Sequence, residues 1–229
     1  LRENGHCTAW RGQYSADIDP ITDPLPVWDQ ATLAFYTHEA PAYVAKSKVG
    51  ASRWLADFIT GLPTGARILE LGCGSGRDAE ALLAHGFEVD VTDGTPAIAA
   101  AAEMRLGRPV RTMRFDELSA VDAYDGIWAN ASLLHVPRTA LCGILARVLC
   151  ALKPGGLHFA SYKVGTSAGR DILGRYYNYL DRNTVKHFYS QSGRWDTMAV
   201  TDYIARGYEG PPASWIAVTA RKRPNNTCI

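Results

Sequence analysis

The chain has 229 residues, 47% of them hydrophobic and 21% charged, with a formal net charge of +1. That length suits one domain with additions, and that composition excludes a mainly disordered chain. Basic and acidic residues nearly balance, 24 against 23, which excludes a strong global field for nucleic acid or an anionic membrane. No apolar run is long enough to cross a bilayer as a helix.

Five cysteines, Cys7, Cys73, Cys142, Cys150 and Cys228, stand at irregular spacings with no Cys-x-x-Cys pair. The pattern signals neither a zinc site nor a redox dithiol, so no metal is expected. It reads as thiols in a reducing compartment, and a cytoplasmic location follows as an expectation. Residues 1–29 hold no apolar stretch of the secretory type, and a first residue of Leu rather than Met fits a trimmed or processed start.

Residues 1–28 show no period and carry Pro20, Pro24 and Pro26, which predicts an irregular extension. From Asp29 the pattern is helical, with Leu33, Phe35 and Tyr36 near one side, and Pro41 is expected to interrupt it before Tyr43. A second helix is expected over 47–60, ended by Gly61-Leu-Pro-Thr-Gly65. Ala66–Leu71 is a short apolar strand, followed by Gly72-Cys-Gly-Ser-Gly76 and a helix over 77–85 that stops at Gly86. Phe87–Thr92 is a strand. Thr95-Pro96 has the form of an N-cap with proline at the first helical position, opening an alanine-rich helix to Leu106. Strands are expected over 110–114 and 126–130. Leu141, Ile144, Leu145, Val148, Leu149 and Leu152 mark an amphipathic helix over 137–152, with Cys142 and Cys150 read as small core residues. Lys153-Pro-Gly-Gly156 then turns the chain into a strand over 157–162.

The alternation of strand and helix predicts a parallel sheet with helices on both faces. The tail differs. Asp181 caps a helix to Ser192, and strands over 195–204 and 215–221 form an antiparallel pair at the sheet edge. Arg221-Lys-Arg223 reads as a solvated charge cluster.

The glycine loop lies between a strand and a helix, where glycines let backbone approach a ligand and take positive φ. A dinucleotide fingerprint spaces its glycines as G-x-G-x-x-G. Here the third glycine, Gly76, comes one residue early and Arg77 stands in its place. Glu70 ends the strand beside the loop, and a carboxylate there suits a cationic ligand better than two phosphates. S-adenosylmethionine has an ammonium, a sulfonium and no phosphate. Asp93 follows at the end of the next strand, 23 residues on, where a carboxylate accepts hydrogen bonds from a ribose diol.

These residues, Ile68–Gly76 and Asp93, together with Tyr124-Asp-Gly-Ile-Trp128 and Leu152-Lys-Pro-Gly-Gly156, resemble the ordered motifs of class I S-adenosylmethionine-dependent methyltransferases. The resemblance covers about 66–162, and 69–179 is similar to small bacterial methyltransferases of the tellurite-resistance type. It implies a Rossmann-like α/β fold: a seven-stranded, mainly parallel sheet with an antiparallel edge hairpin. It also implies an organisation: an irregular extension at 1–28, one domain over 29–223 and a tail at 224–229. Within the domain, 29–60 would be a helical cover, 66–163 the cofactor core, and 164–223 the substrate loop and edge hairpin.

On this resemblance, Glu70, Gly72, Cys73, Gly74 and Gly76 form the cofactor loop, with Asp93, Gly94 and Thr95 on the ribose side. Phe115 and Asp116 lie by the adenine, and Asn130 and Ala131 by the methionine moiety. Tyr36 and Tyr43 belong to the cover. The implied activity is methyl transfer from S-adenosylmethionine to a small molecule. A non-catalytic S-adenosylmethionine-binding module and an NAD-dependent oxidoreductase remain alternatives.

Methyl transfer needs an aligned nucleophile, and a general base only where that nucleophile carries a proton. His135, after the fourth strand, is the candidate base, though it also reads as a plain helix-entry histidine. His135, Tyr162, Lys163, Arg175 and Tyr177 are expected to face the substrate, in a polar aromatic stretch that also includes Arg170, Tyr176, Asn178 and Tyr179. Asn130-Ala-Ser-Leu133 lacks the Pro-Pro-aromatic run usual in enzymes that methylate base amines. With the balanced charge, it makes nucleic acid an unexpected substrate.

Overall fold

The computed structural model describes residues 27–46 and 50–225. The extension over 1–26 with Cys7, the segment 47–49, and residues 226–229 with Cys228 lie outside the described residues.

The core begins with β1 (Arg67–Leu71), β2 (Glu88–Asp93), β3 (Arg111–Thr112), β4 (Tyr124–Ala129) and β5 (Leu152–Lys163). β1 through β5 pair in parallel, in the order β3-β2-β1-β4-β5. Two long strands, β8 (Trp195–Ala205) and β9 (Ala213–Lys222), extend the sheet antiparallel as β5-β9-β8. The result is the expected seven-stranded, mainly parallel sheet with an antiparallel edge. A separate two-stranded hairpin, β6 (Gly169–Arg170) with β7 (Tyr176–Tyr177), stands where the sequence suggested only a loop.

Strands buried on both faces supply both cores. In β1, Leu69 and Leu71 join the cluster under α5 (Arg138–Ala151) and α6 (Arg182–Ser192). Ile68 faces the other side, toward the cluster that includes α3 (Arg77–Ala84) and α4 (Pro96–Leu106). Alternation along the strand therefore turns the intervening Glu70 to the α3 side. α1 (Gln30–Ala45) packs on α4 and covers the carboxyl ends of the strands.

Several boundaries differ from expectation. α1 begins after Asp29, whose side chain accepts from Thr32 N at 2.8 Å, and it runs through Pro41 without interruption. Pro41 is exposed, so solvent can serve the carbonyl left without its helical donor. The second helix is only α2 (Leu55–Thr60), because Gly50 at φ +84° and the turn from Ser52 O to Leu55 N precede it. Lys153-Pro-Gly-Gly156 belongs to the long β5, whose pairing with β4 shifts register between Tyr124 and Gly126. Cys142 and Cys150 are half-buried at the margin of α5 and are not core residues. Arg221 and Lys222 are anchors rather than solvated charges: Arg221 donates to Gly155 O and Gly61 O, and Lys222 to Leu152 O.

Candidate active site

The loop after β1 turns on three glycines in the left-handed region: Gly72 at φ +75°, Gly74 at φ +55° and Gly76 at φ +78°. Space is as restrictive as conformation. A Cβ on Gly72 would lie 2.6 Å from the Ser132 Cβ, and one on Gly74 would lie 3.0 Å from the Tyr43 hydroxyl. The loop is drawn to β2 by Asp93, whose Oδ2 accepts from Gly74 N at 3.1 Å and whose Oδ1 accepts from Thr95 N at 2.9 Å. Burial nevertheless holds the Asp93 carboxyl up at about 6, against the two backbone donors that lower it.

Glu70 is 3% exposed, and its Oε2 has no hydrogen-bond partner. Burial, with the nearby Asp78 and Asp93 charges, raises its pKa well above the carboxylate range. Asp78 lies at the start of α3 and is well served: it accepts from Ser52 N, Trp128 Nε1 and Asn130 Nδ2. Asn130 in turn accepts from the Ser161 hydroxyl, which itself accepts from Ala131 N. The end of β4 is thus fixed to β5 and α3.

Two adjoining cavities open at this edge. The first is lined by Trp28, Leu33, Tyr36, Gly74, Asp93, Gly94, Thr95, Ile98, Phe115, Asp116 and Val136, among others. The second is lined by Glu70, Cys73, Asp78, Asn130, Arg175, Tyr177, Tyr208 and Trp215. Tyr36, Tyr43, Gly72, Gly74, Ala131 and His135 border both. The loop, ribose-side and adenine-side candidates therefore converge, apart from Gly76, which is absent from both linings and packs against Leu106. Cys73 is buried, and burial pushes its thiol pKa up, so it is a wall rather than a nucleophile.

His135 Nδ1 lies 2.6 Å from the Tyr176 carbonyl. A carbonyl only accepts, so Nδ1 carries the proton and Nε2 is the acceptor in the neutral ring. Nε2 is 3.0 Å from the Tyr36 hydroxyl. Burial pushes the imidazole pKa down to about 4, opposed by the Tyr176 carbonyl. Arg175 donates to the same Tyr36 hydroxyl from Nη1 at 3.0 Å and binds Asp171 through Nε and Nη2 at 3.0 and 2.7 Å. Its guanidinium lies 5.0–5.7 Å from the ring centres of Phe35, Tyr36, Tyr177 and Tyr208.

Three expected substrate-facing residues, His135, Arg175 and Tyr177, border the cavities, and two do not. Tyr162 is fully buried in the cluster under α5 and α6, beside Tyr189. Its neighbour Lys163 stands behind the wall, with Nζ 4.2 Å from the Tyr177 ring centre and 5.7 Å from that of Trp215. Alternation along β5 explains the first: Tyr162 shares a face with Ala160, opposite Leu157, Phe159 and Ser161. The rest of the polar stretch is structural. Arg170 pairs with Asp29, and Asn178 accepts from Arg138 Nε. Residues that sequence reasoning missed include Asp78, Thr32, Tyr208 and Trp215. Asp78 alone carried a signal, as an acid in the first turn of the helix after a glycine loop.

No group of three or more metal-ligating side chains occurs among the described residues, and no described helix is long and apolar enough to cross a membrane. Residues 36–194 match the family model described as a methyltransferase domain. Trans-aconitate 2-methyltransferase of Variovorax paradoxus is 40% identical over 106 residues, covering 42% of this chain and 38% of that protein. The chain spans from about 36% to 55% of the length of the curated relatives it matches.

Among solved structures, the Burkholderia thailandensis 1,6-didemethyltoxoflavin-N1-methyltransferase superposes with a TM-score of 0.68 at 21% identity, over 92% of this chain and 98% of that one. It was solved with 1,6-didemethyltoxoflavin and S-adenosylhomocysteine. The [4+2]-cyclase SpnF gives a TM-score of 0.69 at 16% identity, over 87% and 98%. These likenesses establish a Rossmann-like fold shared with methyltransferases.

Proposed function

The chain belongs to the methyltransferase-domain family, and on that premise we infer that it transfers a methyl group from S-adenosylmethionine to a small molecule, releasing S-adenosylhomocysteine. The observation that carries this reading is Glu70. Glu70 is buried with an unpartnered oxygen facing a cavity beside Asp78, and its raised pKa means that it ionises there only at a cost that an arriving cation would offset. The ammonium and sulfonium of S-adenosylmethionine supply that charge. A pyrophosphate at the same loop would meet Glu70, Asp78 and Asp93, which argues against a nicotinamide dinucleotide.

The other residues fit the same ligand. Asp93, with Gly94 and Thr95, would hold the ribose, and the apolar walls Leu33, Ile98, Phe115 and Val136 suit adenine with Asp116 at its edge. Asn130 and Ala131 would stand by the methionine portion, and Tyr36 and Tyr43 would close over it from α1. When bound, the cofactor supplies a methyl group already activated by sulfonium. What this chain adds is alignment and exclusion of water, for which α1 and the aromatic walls are suited. The acceptor would enter through the second cavity, past Arg175, Tyr177 and Tyr208. Its polar-aromatic lining and the balanced charge favour a small molecule over nucleic acid. Irregularly spaced cysteines without a Cys-x-x-Cys pair support a cytoplasmic setting.

Calorimetric titration of the full chain with S-adenosylhomocysteine tests the reading, with micromolar binding expected. Folded protein that leaves the ligand unbound at high micromolar concentration overturns it. Methyl-labelled S-adenosylmethionine offered with a panel of small acceptors should then place label in a small product. Label in protein instead would redirect the acceptor class.

A further inference from the structure

The geometry points to Arg175, held by Asp171, as a positioning residue that aims the Tyr36 proton at His135, so that Tyr36 and His135 together take the proton of a hydroxyl-bearing aromatic acceptor as its oxygen is methylated. This rests on the methyl-transfer reading above and specifies its acceptor.

The proton positions follow from who can donate. Arg175 Nη1 can only donate, so the Tyr36 oxygen accepts from it. The Tyr176 carbonyl can only accept, so the His135 proton sits on Nδ1 and Nε2 presents a lone pair. Tyr36 must then donate its own proton to Nε2. Donation runs from Arg175, which Asp171 anchors by accepting from its Nε and Nη2, through Tyr36 to His135, and ends on the Tyr176 carbonyl. Both Tyr36 and His135 border both cavities, so they stand where the first cavity meets the second. The Tyr36 oxygen donates one hydrogen bond and accepts one, so its valence leaves a second lone pair with which to accept from an acceptor hydroxyl.

The step balances. The acceptor O–H breaks and its proton goes to the Tyr36 oxygen, while the Tyr36 proton passes to His135 Nε2. The acceptor oxygen forms a bond to methyl carbon, and the carbon–sulfur bond breaks with its electron pair retained by sulfur. One positive charge leaves sulfur and one appears on the imidazole, so the net charge of the site is unchanged. The imidazole later releases its proton to solvent.

The groups around His135 make it a weak base before transfer. Burial and the charges of Arg175 and Lys163 hold its pKa down to about 4, while the Tyr176 carbonyl and Asp171 act the other way. Tyr36 from α1 and the Tyr177 ring, 4.6 Å away on β7, complete its surroundings. Loss of the sulfonium charge removes a further repulsion, so the ring becomes more basic as the proton arrives. The aromatic preference comes from the second cavity, whose wall includes Tyr36, Tyr43, Tyr177, Tyr208 and Trp215.

Nitrogen-15 NMR of histidine-labelled full chain, saturated with S-adenosylhomocysteine, reads the proton positions directly. A neutral His135 protonated on Nδ1 is expected, with its Nε2 resonance moving toward that of an unbonded ring nitrogen in both Tyr36→Phe and Arg175→Lys. An Nε2-protonated ring, or an Nε2 resonance untouched by Arg175→Lys, overturns the positioning role. The acceptor is tested with S-adenosylmethionine and the isosteres para-hydroxybenzoate, para-aminobenzoate and para-mercaptobenzoate under single-turnover conditions.

Methylation of the hydroxyl compound alone is expected, reduced about 100-fold or more in Tyr36→Phe and His135→Asn. Amine or thiol transfer that survives both variants, or no hydroxyl transfer by protein that binds S-adenosylhomocysteine, overturns the inference and leaves the methyl-transfer reading standing. Protein that fails to bind S-adenosylhomocysteine overturns both.

Discussion

The Asp93 carboxylate accepts the Gly74 amide across 3.1 Å, tying the end of β2 to the middle of the glycine loop. Its other oxygen takes the Thr95 amide at 2.9 Å, so one side chain organises both the loop after β1 and the start of α4. Asp93→Asn keeps the shape but replaces one acceptor oxygen with an NH2 group that faces a backbone donor. The expected cost is about 1–3 kcal/mol of folding stability, measured by urea unfolding. S-adenosylhomocysteine affinity should fall at least tenfold by calorimetry. Unchanged affinity would remove Asp93 from the ribose site.

The ribose contact proposed for the same carboxylate predicts a pH dependence for ligand binding. Burial raises its pKa to about 6, so it is protonated in a growing share of molecules as pH falls through that value. A protonated carboxyl is a poorer acceptor for ribose hydroxyls. Affinity for S-adenosylhomocysteine should therefore be full above about pH 7 and decline through pH 6, and the decline should vanish in Asp93→Asn. Calorimetry across this range checks the sign: affinity that rises on acidification contradicts the assignment.

Gly72 is where the loop is least replaceable. Its φ is +75°, and an added Cβ would sit 2.6 Å from the Ser132 Cβ, on the segment after β4 that borders the first cavity. Gly72→Ala should destabilise by about 1–3 kcal/mol and weaken S-adenosylhomocysteine by pushing Ser132 toward the cavity. Gly86→Ala is the control. It has a similar φ of +82° but open space around it, so it should cost stability alone. Equal ligand affinity in the two variants would mean that the loop does not shape the site.

The parts legible from sequence are those governed by local rules. The Gly72–Gly76 loop, Asp93, the Thr95-Pro96 helix start and the Asp181 cap announce themselves because glycine, proline and short polar side chains act within a few residues. The stripe from Leu141 to Leu152 did so through periodicity. What stayed hidden depends on contacts distant in sequence. Tyr36 meets His135 across 99 residues and Arg175 across 139, and no local pattern marks such meetings. The β6–β7 hairpin is two residues per strand, too short for alternation to register. Tyr162 was misplaced because its position at the end of β5 was legible while the face it takes was not.

Tyr162 therefore gives a clean test of which face of β5 serves the site. It is fully buried with Tyr189 in the cluster under α5 and α6, and neither hydroxyl faces the cavities. Burial pushes its phenol pKa up, as for a group away from water. Tyr162→Phe removes one buried polar atom and keeps the ring that fills the core. S-adenosylhomocysteine affinity should be unchanged within twofold, and stability should move by no more than about 1 kcal/mol in either direction. Arg175→Lys, at the wall of the second cavity, should leave the core intact yet alter the His135 ring nitrogen. If Tyr162→Phe instead weakened the ligand, the sheet would have to present β5 to the site in the other register, and Ser161 could not then reach Asn130 at 2.8 Å.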